Sequence, residues 1–260
     1  MTTDSIDSPG GPIITVITVC FNSAATLGDT LRSVADQSLP NVEHIVIDGA
    51  SKDATQEVVA HYGAHVARFI SEPDRGIYDA MNKGVRIATG DVIGFLNADD
   101  VYAHQNVLTT VAGIMKREHL DALFGDVEFF HSQNPGRTTR RYSSARFSPD
   151  RIAWGWMPAH PALFVRREVF QRVGAFRTDY RIAGDFEFVA RAFGINTLRY
   201  RHLPEVLVRM RTGGVSTGGW RNTILLNREV LRACRENGIP TSLPKILSKY
   251  PAKLLEFLHR

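Results

Sequence analysis

The chain has 260 residues, is 43% hydrophobic and carries a net charge of +4, a composition typical of a soluble globular protein and enough for one large domain or two small ones. Two cysteines, Cys20 and Cys234, exclude a disulfide or zinc framework and point to a reducing compartment, the cytoplasm. The polar start MTTDSIDSPGGP lacks the basic and apolar regions of a secretion signal, and no segment approaches the roughly 18 apolar residues of a membrane span.

Residues 1–12 are therefore expected to form a disordered tail. In chain order, Ile13–Val19 (IITVITV) is β-branched throughout and reads as a buried strand. A helix follows over Ala24–Gln37, with Leu27, Leu31 and Val34 on one face. His44–Asp48 is a second strand, and Ala54–His61 a second helix opened by Asp53 as N-cap. A short strand around Arg68–Ile70, a helix over Ile77–Ala88 and a strand over Val92–Leu96 continue the alternation. Such alternation implies parallel pairing through right-handed crossovers, so the C-terminal ends of the strands share one edge, and the chemistry should lie there.

The second half is mixed. Leu123–Phe130 and Thr138–Tyr142, separated by SQNPG, read as a hairpin; Pro161–Val165 and Val206–Arg211 read as short strands, and Phe186–Phe193 as a helix. Gly213–Gly219 is a glycine-rich loop flanked by Arg209, Arg211 and Arg221, suited either to closing over a diphosphate or to serving as a plain connection. Helices near Trp220–Asn237 and Leu243–Leu258 end the chain, the last broken by Pro251 into two amphipathic turns. Charge is uneven: beyond Leu198 twelve basic side chains face four acidic ones, a net +8 that leaves −4 for the rest. A basic tail beside an acidic body suits an anionic partner, whether a membrane surface, a phosphorylated ligand or nucleic acid; a solvated helix face is the plainer alternative.

Three acidic clusters mark the strand ends. In IVIDGASKDAT, Asp48 ends the second strand, placed to accept hydrogen bonds from a ribose or base, and Gly49 permits a tight turn. In EPDRGIYDAMNKG, the residues Asp74, Gly76, Asp79, Asn82 and Gly84 crowd a loop and the first turns of a helix, whose free N–H groups face the same corner; Asp79 and Lys83 are spaced as a possible surface pair. In GDVIGFLNADD, Asp99 and Asp100 stand side by side after a buried strand. Adjacent carboxylates need compensation from a cation, an arginine or backbone N–H groups, and Mg²⁺ or Mn²⁺ is the economical answer. A helix cap near Asn106 accounts for only one of the two.

Taken together, TVCFNSAATLGDTLRSVADQ, HIVIDGASKDAT, DRGIYDAMNKGVRIATGDVIGFLNADD and GDFEF resemble the family 2 glycosyltransferases, which have the α/β fold called GT-A. The GIYDAMNKG run is similar to that of bacterial enzymes that decorate surface polysaccharides and glycolipids. The resemblance implies a central, mostly parallel sheet flanked by helices, a catalytic domain over 13–219 with a mixed acceptor-side region, and a C-terminal helical extension over 220–260. It also implies a cytoplasmic enzyme, working at the inner face of the cell membrane, that moves a sugar from a UDP-, GDP- or dTDP-linked donor to a glycolipid or lipid-linked saccharide acceptor. Nucleic acid is not among the implied partners, and the basic C-terminus is the implied peripheral membrane contact.

By position, Val19, Phe21 (where many relatives have tyrosine) and Asn22 would lie against the nucleotide, and Asp48 would contact the base. Asp74, Gly76, Tyr78, Asp79 and Asn82 would line the donor pocket. Asn97, Ala98 and Asp99 occupy the Asp-x-Asp motif, with Asp99, helped by Asp100, holding the metal; Asn97 departs from the pattern and adds no charge. Asp185 falls where the family has its catalytic base, with Gly184 in place of the usual Glu. A base opposite the leaving group implies inversion, and no second nucleophile is evident. Trp154 and Trp156, alternating about Gly155, would project to one side as an acceptor platform or pack in the core; His160 and Glu187 are placed with the acceptor, and His202 as an extra metal ligand. Two rival readings are a sugar nucleotidyltransferase, which expects a Gly/Lys-rich phosphate loop where this chain has CFNSAATLGD, and a non-catalytic nucleotide-sugar-binding protein.

Overall fold

A computed structural model describes residues 13–194, 197–213 and 219–250 of the chain; the expected tail over 1–12 and the amphipathic end over 251–260 lie outside them. Strand β1 (Ile14–Cys20) is buried along its whole length, as a β-branched run covered on both faces must be. It pairs in parallel with β2 (Glu43–Asp48) on one side and β4 (Val92–Phe95) on the other, and β2 pairs in parallel with β3 (Val66–Ser71). The crossovers are α1 (Leu27–Ala35), α2 (Thr55–Tyr62) and α3 (Ile77–Ile87). The chain therefore runs outward from β1 through β2 to β3 and then returns to β4 on the other side of β1. That reversal is the topological switch point of an open sheet.

Beyond β4 the sheet turns mixed. After the two-residue β5 (Val101–Tyr102) and α4 (Val107–Arg117), β6 (Ala122–His131) and β7 (Asn134–Tyr142) form the expected hairpin. Its turn is tighter than SQNPG implied, since β7 begins at Asn134. Strand β8 (Leu163–Arg166) is antiparallel to both β4 and β6, and β9 (Tyr200–Arg211) runs parallel to β6 and antiparallel to β5. Among the described residues the order is β3-β2-β1-β4-β8-β6-β9-β5, with β7 on β6. β9 is longer than its apolar part suggests. Its pairing shifts between His202 and Val206, and Pro204, which has no N–H to give, falls inside that irregularity.

A core covers each face of the sheet. One packs β4, β6 and α3 against α5 (Arg167–Val173), α6 (Gly184–Gly194) and α7 (Trp220–Glu236), through Met81, Phe95, Phe124, Phe186 and Cys234; the other side holds two clusters, one under α4 through Leu108, Val111 and Met115 and one that joins α1 and α2 through Leu27, Leu31 and Val59. Helix α6 is buried nearly all round because it lies under α7, and burial of Phe186, Phe188 and Phe193 contributes about 1.5–3 kcal/mol each. Helix α7 places Val230, Ala233 and Cys234 in the same core, and α8 (Leu243–Leu247) adds Ile246.

Candidate active site

The loops after β1, β2 and β4 meet at the switch edge. Asn22, in the left-handed region at φ 50° that asparagine tolerates, accepts the Lys52 N–H on Oδ1 at 2.9 Å and donates its own N–H to Ser51 Oγ at 2.7 Å. Asp53 joins the same two loops. One carboxylate oxygen accepts from Ala24 N–H at 3.1 Å and the other from Thr55 N–H at 3.1 Å, so it caps α2 from one residue further out than a standard N-cap. Those bonds, that of the Thr55 side chain first, hold its carboxyl below the usual range. Val19 is buried beneath the loops, and Phe21 is 60% exposed above them.

Asp48 is fully buried. Its carboxylate accepts the Ser51 N–H at 3.1 Å, the Ser51 hydroxyl, and the Ser71 hydroxyl at 2.6 Å. The charge is thus hydrogen-bonded within the strand ends. Next to it, Gly49 is closely approached: a Cβ there would lie 2.4 Å from Asp74 Oδ2 and 3.4 Å from the Phe21 ring, so a side chain would have to displace the Asp74 carboxylate. The ends of β1 and β2 and the start of α3 therefore touch at one point, bare of side chain at its centre.

At the start of α3, Asp74 Oδ1 accepts the Gly76 N–H at 2.9 Å and Asp79 Oδ2 the Arg75 N–H at 3.1 Å. The Arg75 N–H is the main cause that holds the Asp79 carboxyl below its usual range. Gly76, at φ 114°, makes the turn a side chain would strain. The possible Asp79–Lys83 pair does not form: Lys83 binds Glu72 at 3.0 Å and the Pro73 carbonyl at 2.7 Å. Asn82, which the resemblance places in the donor pocket, is buried with its amide committed to the main chain of Phe176, donating at 2.7 Å and accepting at 2.9 Å.

After β4, residues Asn97–Asp100 form a turn closed by Asp100 N–H to the Asn97 carbonyl at 3.1 Å. Asp99 is partly exposed; Ala98 and Asp100 are buried. Asp100 accepts from Asn97 Nδ2 at 3.1 Å and from the Arg211 N–H, so its carboxylate holds the turn and is not an open metal ligand, correcting its expected place beside Asp99. Burial, and in second place the neighbouring Asp99 charge, raises the Asp100 carboxyl far above the usual range; burial raises Asp99 as well, and Arg211 opposes both. The Arg211 guanidinium binds Asp29 at 3.0 Å and lies over the Phe130 ring. Arg209 instead binds Glu128 at 2.6 Å, and residues 214–218 of the expected glycine loop lie outside the described residues.

The GT-A resemblance implies a divalent cation here. Among the described residues no three His, Cys, Asp or Glu side chains gather as a metal site. The fit is that of an incomplete site: the Asp99 carboxylate reaches solvent, its charge is only partly compensated, and Asn97 Oδ1 is buried without a hydrogen-bond partner. One carboxylate with waters and donor phosphates suffices for Mg²⁺ or Mn²⁺. His202, the expected extra metal ligand, has its Nε2 bonded to Asp126 at 2.8 Å, which leaves Nδ1 as its remaining ring nitrogen.

Asp185 sits in the first turn of α6. Its Oδ1 accepts the Phe186 N–H at 2.8 Å and the Tyr78 hydroxyl at 3.3 Å, and no hydrogen bond among the described residues reaches Oδ2. Burial raises its carboxyl above the usual range; the nearby His160 acts in the opposite direction. His160 is buried, stacked on Phe95 at 5.2 Å, and burial pushes its imidazole down toward the neutral form. The single Tyr78 hydroxyl proton is shared between Asp185 Oδ1 and the Ile182 carbonyl, which is nearer at 2.6 Å, and the Tyr78 ring explains the missing family Glu: a Cβ on Gly184 would lie 2.7 Å from Tyr78 Cε2. Glu229 of α7, which no local pattern singles out, accepts the N–H groups of Arg181, Ile182 and Ala183 at 2.8, 2.9 and 2.8 Å and so holds the approach to Asp185.

Two acceptor-side expectations are corrected. Glu187 is 1% exposed and forms a two-point pair with Arg191 at 3.0 and 2.9 Å, which makes it a buried structural ion pair. Gly155, in the left-handed region at φ 73°, turns the chain between the tryptophans. Trp154 is 39% exposed under Lys245 and Trp156 is 7% exposed under Arg146, so they do not make one open platform.

The fold is that of the GT-A glycosyltransferases. The chain is similar to a Staphylococcus aureus TarS fragment, 1–349, with a TM-score of 0.67 at 19% identity over 90% of this chain and 70% of that one. Against a longer TarS chain it spans 39% of the length. It is similar too to the mannosyltransferase PcManGT of Pyrobaculum calidifontis, with a TM-score of 0.65 at 20% identity over 88% of this chain and 68% of that one. In sequence, residues 15–174 match the family described as Glycosyl transferase family 2. A PGL/p-HBAD biosynthesis glycosyltransferase of Mycobacterium tuberculosis (strain ATCC 25177 / H37Ra) is 31% identical over 225 residues, which are 85% of this chain and 83% of that protein. The chain belongs to glycosyl transferase family 2 and is a glycosyltransferase.

Proposed function

We propose that this enzyme transfers a sugar from a nucleotide-diphosphate donor to a hydroxyl of a glycolipid or polysaccharide-precursor acceptor, with inversion at the anomeric carbon and Asp185 as general base. The observation that carries this reading is the Asp185 carboxylate: one oxygen accepts the Phe186 N–H and lies 3.3 Å from the Tyr78 hydroxyl, no hydrogen bond among the described residues reaches the other, and burial raises its proton affinity. The donor class draws support from relatives in fold, since TarS is known in complex with UDP-GlcNAc and with UDP, and PcManGT with GDP-Man and Mn²⁺. In this reading residues 13–219 are the catalytic domain and 220–260 a helical extension that braces it. The enzyme is cytoplasmic and meets its acceptor at the inner face of the membrane; among the described residues no helix is long and apolar enough to cross one.

The acceptor oxygen attacks carbon one of the donor sugar as the bond from that carbon to the diphosphate oxygen breaks. The hydroxyl proton passes to Asp185, and the nucleoside diphosphate leaves. Raised proton affinity brings the base closer to the working pH, where proton transfer in the transition state is most effective. Tyr78 orients the base through Oδ1 and leaves Oδ2 for the acceptor. At the switch edge the exposed Phe21 ring offers a face to the nucleobase, Asp48 with Ser51 and Ser71 shapes the floor, and Gly49 leaves the space between Phe21 and Asp74. A divalent cation on Asp99 would supply positive charge to the departing diphosphate. The test is incubation with UDP-, GDP- and dTDP-sugars and a lipid-linked saccharide, with the new anomeric centre assigned by NMR coupling. An inverted product is expected; a retained configuration would contradict the single-base mechanism.

A further inference from the structure

A second concave site lies on the α7–α8 side of the molecule. It is a cavity of about 580 Å³, within the range of small-molecule sites, and its walls include Arg146, Ser148, Arg151, Trp154, Trp156 and Ser248. Its charge is one-sided. Across residues 143–156 and 242–250, Arg146, Arg151, Lys245 and Lys249 face a single acidic residue, Asp150. Among the described residues neither Arg146 nor Arg151 has a carboxylate partner, in a protein where Arg141, Arg177, Arg191 and Arg232 all do. The Arg146 guanidinium lies 5.9 Å from the Trp156 ring centre and Lys245 Nζ 4.9 Å from that of Trp154, so cations sit against both indoles. The Ser148 hydroxyl makes no capping bond to the helical turn it precedes.

We infer that this cavity binds the phosphate of a phosphorylated saccharide, the group that identifies the acceptor, with Arg146 and Arg151 on the phosphate and the partly exposed Trp154 ring beside the sugar. Paired guanidinium groups match phosphate oxygens in geometry as well as charge, and indole faces pack on the C–H face of a sugar ring. Position supports an acceptor role. Trp156 precedes His160 by four residues, a span of at most about 14 Å of extended chain, and His160 stacks on Phe95 at the end of β4, beside Asp185. The inference rests on the transferase reading above and adds the acceptor's chemical class to it. The phosphate belongs either to a soluble sugar phosphate or to a lipid headgroup, and both present the same chemistry to the two arginines.

The test compares the full-length protein with the double variant Arg146→Gln/Arg151→Gln. Glucose 1-phosphate and glucose are titrated by calorimetry, and retention is measured on phosphatidylcholine vesicles with and without phosphatidic acid. Glucose 1-phosphate is expected to bind the native protein at least tenfold more tightly than glucose, and the double variant to lose at least tenfold of that affinity while its circular dichroism is unchanged. Vesicle retention that depends on phosphatidic acid and is lost in the variant assigns the phosphate to a lipid; binding of glucose 1-phosphate without vesicle retention assigns it to a soluble acceptor. Because the variant keeps the basic C-terminus, retention that survives the two substitutions belongs to that tail and, with equal glucose 1-phosphate affinity, overturns the inference. Anion binding through the arginines in a protein that transfers no sugar would sink the transferase reading and leave the anion site standing.

Discussion

Glu229 lies on α7, outside the sheet edge, yet its carboxylate accepts the three N–H groups that lead into α6 and Asp185. Glu229→Ala leaves all three without their partner. Hydrogen bonds to a charged group are worth about 1.5–3 kcal/mol each, but Arg181 is exposed and Ile182 half-exposed, so water replaces most of what their N–H groups lose. Ala183 is fully buried, and its N–H bears the whole desolvation cost. The expected loss is therefore about 3 kcal/mol, nearer one full bond and two partial ones than the sum of three. In a protein of this size that lowers the melting temperature by roughly 6–12 °C. Glu229→Gln keeps one acceptor oxygen and should lose about half as much. Because the same segment anchors Tyr78 through the Ile182 carbonyl, turnover should fall in both variants, more in Ala than in Gln, with donor affinity preserved. Urea unfolding and initial-rate kinetics are the assays. Unfolding of Glu229→Ala within about 0.5 kcal/mol of the native protein, the range of a plain surface substitution, would refute the reasoning.

Two further outcomes are expected. Gly184→Ala puts a Cβ against the Tyr78 ring and should cost about 1–3 kcal/mol of stability and reduce turnover with it; a variant as stable and active as the native protein would show that the contact relaxes freely. His44 is buried between Thr18 at 3.0 Å and His65 at 2.9 Å, and burial first, then His65, lowers its imidazole to about 3. Its folded value lies below the unfolded one of about 6.5, so the unfolded chain takes up the proton first: this stability is complete above that pH and is lost as pH falls toward 3. Between pH 7 and pH 5 the loss is about 2 kcal/mol, and urea unfolding of native protein and His44→Gln at both values should show the difference shrinking in the variant.

The first half of the fold was legible because β1, β2 and β4 are covered on both faces, which writes continuous apolar runs into the sequence. The second half was less so. β5 has two residues and exists only through its pairing with β9, and the charged first half of β9 looks like a loop until its partner β6 is in place. At the site, the strand-end carboxylates were visible from turn chemistry, but their partners were not. Glu229 lies 46 residues from Ala183 and Asn82 lies 94 from Phe176, separations no local pattern reports. Glu187 and Arg191, by contrast, are four residues apart on one helix, and that spacing could have marked Glu187 as half of a pair. Platform and core packing were both open for the tryptophans; Gly155 adopts a left-handed conformation, which breaks the alternation an extended chain would keep, and Trp156 is buried.

The most direct measurement of the central claim is Asp185→Asn, with donor affinity by calorimetry and transfer by product formation measured on the same preparation. The account predicts unchanged donor affinity and a turnover lower by about 10²–10⁴-fold, the typical contribution of a positioned general base. Turnover within a few-fold of the native enzyme, or donor binding lost along with activity, would contradict it.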